Sequence, residues 1–186
     1  MNKKSITFDS ASIINLRDKY SATKTKYWRI IKSENIMSIS AKKAGMGSGF
    51  DLKALYNQIL QMSENLIKIK LMLNAINNAP SDEPITFNYE DAKKTHYYNI
   101  YKACELKEQI AHWEEILKKH TINPATKAKA GGKGTGKIEI FTSAKIASIK
   151  KNIQLEINKY DKKLESFNKK MKITIIDDDI ASDSAF

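Results

Sequence analysis

At 186 residues, with 32 Lys and Arg against 21 Asp and Glu and a net charge of +11, the chain can form one domain with a sizeable core and is too basic to imitate a nucleic acid. Its one cysteine, Cys104, excludes an intrachain disulfide framework or multi-cysteine zinc site, and no run of about 18 apolar residues predicts a membrane span. Met1 to Phe8 lacks the apolar region of a secretory signal, so a soluble protein of a reducing compartment is expected, in a host cytoplasm or a virion.

Residues 1–50 carry 10 basic residues against 3 acids and read as a basic N-terminal arm. Short helices are expected over 9–20 and 25–33, the second presenting Tyr27, Trp28, Ile30 and Ile31. Exposed, Trp28 and Ile31 would be adhesive, so they fold back on the body or bind a partner. Trp28, Arg29, Lys42 and Lys43 are taken as partner or phosphate contacts. Gly45, Gly47 and Gly49 follow as a joint where another backbone could approach closely. The arm should end there.

From Leu52 to Ile76 the apolar residues Leu52, Leu55, Ile59, Met62, Leu66, Ile69, Leu73 and Ile76 alternate spacings of three and four. That heptad seam predicts a helix over 51–78. Tyr56, Leu60, Ile67 and Leu71 widen it enough to pack against two neighbours. A second helix over 89–120 carries Ala103, Leu106, Ile110, Trp113 and Leu117 inside, with Cys104 as a small core residue. Its other face alternates Lys102, Glu105, Lys107, Glu108, Glu114, Glu115 and Lys118, a solvated pattern. A third helix over 143–172 buries Ile146, Ile149, Ile153, Ile157, Tyr160, Leu164, Phe167 and Met171. Phe50-Asp51, Phe87-Asn88 and Phe141-Thr142 each put an aromatic before a good N-cap, the signature of a hydrophobic staple.

Between Glu115 and Glu139 there is no acid, while Lys127, Lys129, Lys133 and Lys137 join Gly131, Gly132, Gly134 and Gly136. The Gly131-to-Lys137 run has the spacing of a P-loop up to its lysine. Ile138 stands where Ser or Thr should hold magnesium, and no strand precedes the run, so it reads as a basic loop able to meet phosphate or an acidic protein surface. Arg17 and Arg29 are the only arginines, which argues against bidentate reading of guanine. His96, His112 and His120 are the only histidines. Glu108 and Glu115 flank His112 at helical spacing, but carboxylates and histidines do not repeat as a di-metal bundle requires. No catalytic residues, cofactor or metal are assigned, and no enzyme is expected.

Two resemblances add to this. The tail Asp177-Asp178-Asp179, Asp183 and Phe186 resembles the partner-docking tip of bacterial and phage single-stranded-DNA-binding proteins, although Ile180 to Ala185 separate the acids from the last ring. That resemblance implies that Phe186 docks on a partner. The run from Tyr89-Glu90-Asp91-Ala92 through Lys137-Ile138-Glu139-Ile140-Phe141-Thr142-Ser143 to Leu164-Glu165-Ser166-Phe167-Asn168 is similar to a family of small all-helical bacterial and phage proteins labelled septicolysin-like. It implies a helical hairpin without catalytic residues.

The expected fold is all-α: three long antiparallel helices over 51–172, a basic arm over 1–50 and an acidic tail over 173–186. The expected function is structural, an assembly protein docking in a multi-protein particle such as a phage virion, through self-association or a hetero-complex. The alternative is a sequence-nonspecific nucleic-acid-binding protein using Lys145, Lys150, Lys151, Lys159, Lys162 and Lys163 with the basic loop.

Overall fold

The computed structural model describes residues 7–38, 49–80, 85–122 and 137–172. In chain order these form α1 (Ser10–Glu34), β1 (Ile36–Ser38), α2 (Leu52–Asn77), α3 (Tyr89–Ala92), α4 (His96–Ile122), β2 (Lys137–Glu139) and α5 (Ser143–Lys170). The fold is all-helical apart from one short ladder, and no described helix is long and apolar enough to cross a membrane.

Among the described residues four long helices stand where three were expected, because Ser10–Glu34, expected within an arm, is a helix packed in the bundle. Helix α1 is one continuous 25-residue helix that packs along α2. Its inner stripe is Ile13, Arg17, Tyr20, Lys24, Trp28, Ile31 and then Asn35, spaced by threes and fours, and no Gly or Pro interrupts it. Asp9 caps it, Oδ1 accepting the Ser12 amide at 2.6 Å. The body of the protein therefore begins by Ile13, which is buried. The tail over 173–186 lies outside the described residues.

The predicted seam of α2 is largely internal: Leu52, Ile59, Leu66 and Ile69 are buried, and so are Ile67 and Leu71 from the widened stripe. As the width requires, α2 touches both α1 and α4. Asp51 caps it through bonds of 2.9 and 3.0 Å from the Lys53 and Ala54 amides. The second predicted helix is in fact two. Asn88 caps the single turn of α3, which closes when the amides of Lys94 and Thr95 bond three residues back to Asp91 and Ala92. Helix α4 starts afresh at His96.

Contacts between side chains give the directions. Tyr56 meets Trp113 while Glu64 meets Lys102, so α2 and α4 run opposite ways. His96 stacks on Phe167 while Lys150 pairs with Glu114, so α4 and α5 do too. Lys24 meets Glu105 and Lys32 meets Glu115, so α1 and α4 are parallel. The result is two helical hairpins, α1–α2 and α4–α5, packed side by side. Ile146, Ile153, Ile157 and Tyr160 of α5 are buried as expected, whereas Met171 is 60% exposed because the helix has ended at Lys170.

Of the three predicted staples, the one at α5 is built into the core. Phe141 is 2% exposed and Ile146 fully buried, while Thr142 Oγ1 accepts the Lys145 amide at 3.3 Å. Phe50 is 51% exposed, so at α2 the cap carries more than the aromatic does. Phe141 belongs to a ring cluster: Trp28, Tyr56, Trp113 and Phe141 meet at centroid distances of 5.0–6.0 Å, mostly edge to face. Fully burying rings of this size contributes on the order of 2–3 kcal/mol each. The cluster draws on α1, α2, α4 and the entry to α5, so it ties both hairpins together.

Candidate functional site

The end of the bundle beside that ring cluster holds a two-stranded ladder whose outer residues border the two glycine segments in sequence. β1 follows α1 and β2 precedes α5, and they pair antiparallel with Ile36 opposite Glu139, Met37 opposite Ile138 and Ser38 opposite Lys137. Segment 39–48 leaves after Ser38, and segment 123–136 ends just before Lys137. Their roots are thus neighbours across one ladder step. In sequence these segments carry Lys42, Lys43, Lys127, Lys129 and Lys133 and no acid.

Asn35 fixes this end. Its amide Nδ2 donates to the Phe141 carbonyl at 3.0 Å, and its Oδ1 accepts the Phe141 amide at 2.7 Å, while its own carbonyl accepts the Ile140 amide at 3.2 Å. The side chain completes the ladder as another strand residue would, and at 1% exposure it does so away from water.

A second polar feature crosses the middle of the bundle. Lys24, only 4% exposed, extends from α1 to Glu105 at 2.8 Å and Glu108 at 2.7 Å on α4. Glu105, 3% exposed, also accepts from Lys70 of α2 at 2.9 Å, so one buried carboxylate joins three helices. The charged face of α4, expected to be solvated, is exposed at Lys107, Glu108, Glu114, Glu115 and Lys118, but it also makes cross-helix pairs: Lys32 with Glu115, Lys102 with Glu64, Lys107 with Asp161 and Lys150 with Glu114. Helices on both sides reach α4, which turns its polar residues into contacts. Cys104, expected in the core, is exposed.

The Glu108 carboxyl is pulled down to about 2, first by its contact with His112 (Nε2 to Oε1 3.6 Å) and then by Lys24, against the opposing effect of burial. A group with a depressed folded pKa stabilises the fold above its unfolded value, here 4.5, and that stability is lost as pH falls towards 2. The urea midpoint should therefore drop between pH 4.5 and 2, and drop less in Glu108→Gln. Glu64 and Glu114 are also lowered and add to the same slope, Glu64 through Tyr89 and Lys102 against burial and Glu114 through Lys150. An identical acid profile in Glu108→Gln would remove Glu108 from that account.

Of the predicted contact residues, Arg29 is exposed on α1, and Gly49 has open space around it, where a Cβ would meet no atom within 4 Å. Lys137 stands at the ladder step described above. Trp28 is 1% exposed: it folds back into the core against Tyr56, His112 and Trp113, and is unavailable to a partner. Lys42, Lys43, Gly45, Gly47, Lys127, Lys129, Lys133 and Phe186 lie outside the described residues. Among the described residues no three His, Cys, Asp or Glu side chains are grouped so as to hold a metal ion. Sequence reasoning missed Asn35, Lys24 and Glu105. Asn35 and Lys24 continue the α1 stripe at helical spacing, which is the signal that could have found them.

No protein-family model matches the chain, and no curated protein or solved structure matches it.

Proposed function

We propose that the chain is a non-enzymatic assembly protein that docks on an acidic surface of a partner subunit in a multi-protein particle, a phage virion being one such particle. The register of β1 and β2 carries this reading: it roots the two acid-free lysine and glycine segments side by side at the clamped end of a stiff bundle. Five lysines and no acid in the sequence of these two segments favour an anionic partner, and glycine lets backbone approach it closely. The kinship with the small septicolysin-like helical family belongs to the same proposal, since the second hairpin is the part of the chain that resembles it. The docking tail ending at Phe186 and a virion or host-cytoplasm location belong to it as well.

Capture from native material tests it. The full chain should recover a defined partner, and reversing Lys42, Lys43, Lys127, Lys129 and Lys133 to Glu should abolish recovery while leaving the melting temperature within a few degrees. Equal recovery by the reversed chain, or a monomer that recovers nothing, contradicts the reading.

One observation favours nucleic acid as the second reading. The outward face of α5 carries Lys151, Lys159 and Lys162, exposed and without an acid between Ala144 and Lys162 on that face. The other candidates on α5 are engaged: Lys150 pairs with Glu114, while Lys145 and Lys163 lie over the rings of Phe141 and Tyr160. Three phosphate contacts on duplex DNA would weaken binding roughly 40-fold between 50 and 200 mM salt. No binding at low salt eliminates this reading and leaves the first.

A further inference from the structure

Next to the ring cluster, with Tyr56 on its wall, α2, α4 and α5 line a half-open cleft of about 510 Å³, within the range of small-molecule sites. Each helix supplies residues at helical spacing: Ser63 and Ile67 from α2, Leu106 and Gln109 from α4, Ile149 and Ile153 from α5. Four of these six are aliphatic. The two polar ones are both 4% exposed, and Ser63 Oγ and Gln109 Oε1 have no hydrogen-bond partner in the protein. A buried hydroxyl and a buried amide oxygen left unpaired destabilise the fold, and a bound group that pairs with both would relieve that. Glu105 and Lys102 also border the cleft, but Lys24 and Lys70 take the two oxygens of Glu105 and Glu64 takes the Lys102 ammonium, while Asn152 and Glu156 stand exposed beside them. An anion is therefore disfavoured and a cation finds no free buried carboxylate.

We infer that this cleft is a binding site for a compact neutral molecule with an apolar body and one hydroxyl head, towards which the Ser63 and Gln109 side chains, now shielded from solvent, rotate so that the hydroxyl donates to Gln109 Oε1 and accepts from Ser63 Oγ. The aliphatic residues of the three helices hold the body. The site is independent of the docking end, and its occupancy does not require that proposal.

The test is titration of the full chain with 2-naphthol, naphthalene and 2-naphthoate, followed by ligand fluorescence and by calorimetry. The expected result is saturable one-to-one binding of 2-naphthol, about tenfold tighter than naphthalene because of the head group, with no binding of 2-naphthoate. Ser63→Ala should weaken 2-naphthol about five- to tenfold, leave naphthalene unchanged, and leave the melting temperature equal or higher, since it removes an unpaired buried hydroxyl. Ile149→Trp, on the half-buried wall, should fill the cleft and abolish binding in a chain that still melts cooperatively. The inference is overturned if 2-naphthol shows no saturable binding up to its solubility limit. It is equally overturned if naphthol and naphthalene bind alike and Ser63→Ala changes neither, or if Ser63→Ala lowers the melting temperature, which would show that the hydroxyl already has a partner in the protein.

Discussion

Glu105→Ala is expected to destabilise the protein by about 3–5 kcal/mol, because it leaves Lys24 buried with only Glu108 to offset its charge. Lys24→Met should cost less than that, since Lys70 still holds Glu105. The informative variant is the pair Lys24→Met with Glu105→Leu. Replacing a buried ion pair by apolar groups of similar volume is often neutral or stabilising, so the double variant should recover most of the loss. Urea unfolding followed by circular dichroism gives all three values. A double variant as unstable as the sum of the single ones would mean that the two residues do not interact, against the 2.8 Å contact between them. Such a recovery would leave the pair a role in register and not in stability, the charge on α1 meeting one on α4.

Asn35→Ala should cost about 2–4 kcal/mol, through two lost side-chain hydrogen bonds and a buried Phe141 amide left without a partner. The effect has a local signature. Hydrogen exchange at the Phe141 amide should accelerate far more than exchange at amides in the middle of α2, because the clamp at one end opens before the bundle does. Uniform acceleration along the chain would instead make Asn35 an ordinary core residue. Both variants act on the contact between hairpins, and neither touches the helices' own apolar seams.

What could be read from the sequence follows from how local the signal was. The seam from Leu52 to Ile76 and the caps Asp51, Asn88 and Thr142 depend on residues within one or two turns, and all reappear in the structure. Helix α1 was harder to see because three of the seven positions on its inner stripe, Arg17, Lys24 and Asn35, are polar. The partners of two of them lie far along the chain: Lys24 and Glu105 are 81 residues apart, and Asn35 and Phe141 are 106 apart. No periodicity within α1 reports those distances. The same holds for β1 and β2, three residues each, which are too short to signal a strand and exist because each finds the other. The glycine clusters were visible from the start as punctuation. That Ser38 and Lys137, which border the segments carrying those clusters, are ladder partners is a fact of pairing, and only the register reveals it.

That register is also where the proposed docking end is most directly open to test, since it clamps the two hairpins with Ser38 and Lys137, the residues bordering the two segments, side by side. Antiparallel partners have Cα atoms about 4.5–5.5 Å apart, inside the span of a disulfide. In a Cys104→Ser background, Met37→Cys with Ile138→Cys should oxidise spontaneously to an intramolecular disulfide, while Met37→Cys with Lys145→Cys should not. Failure of the 37–138 pair to close, or equal closure of both pairs, would contradict the clamp and with it the common docking end.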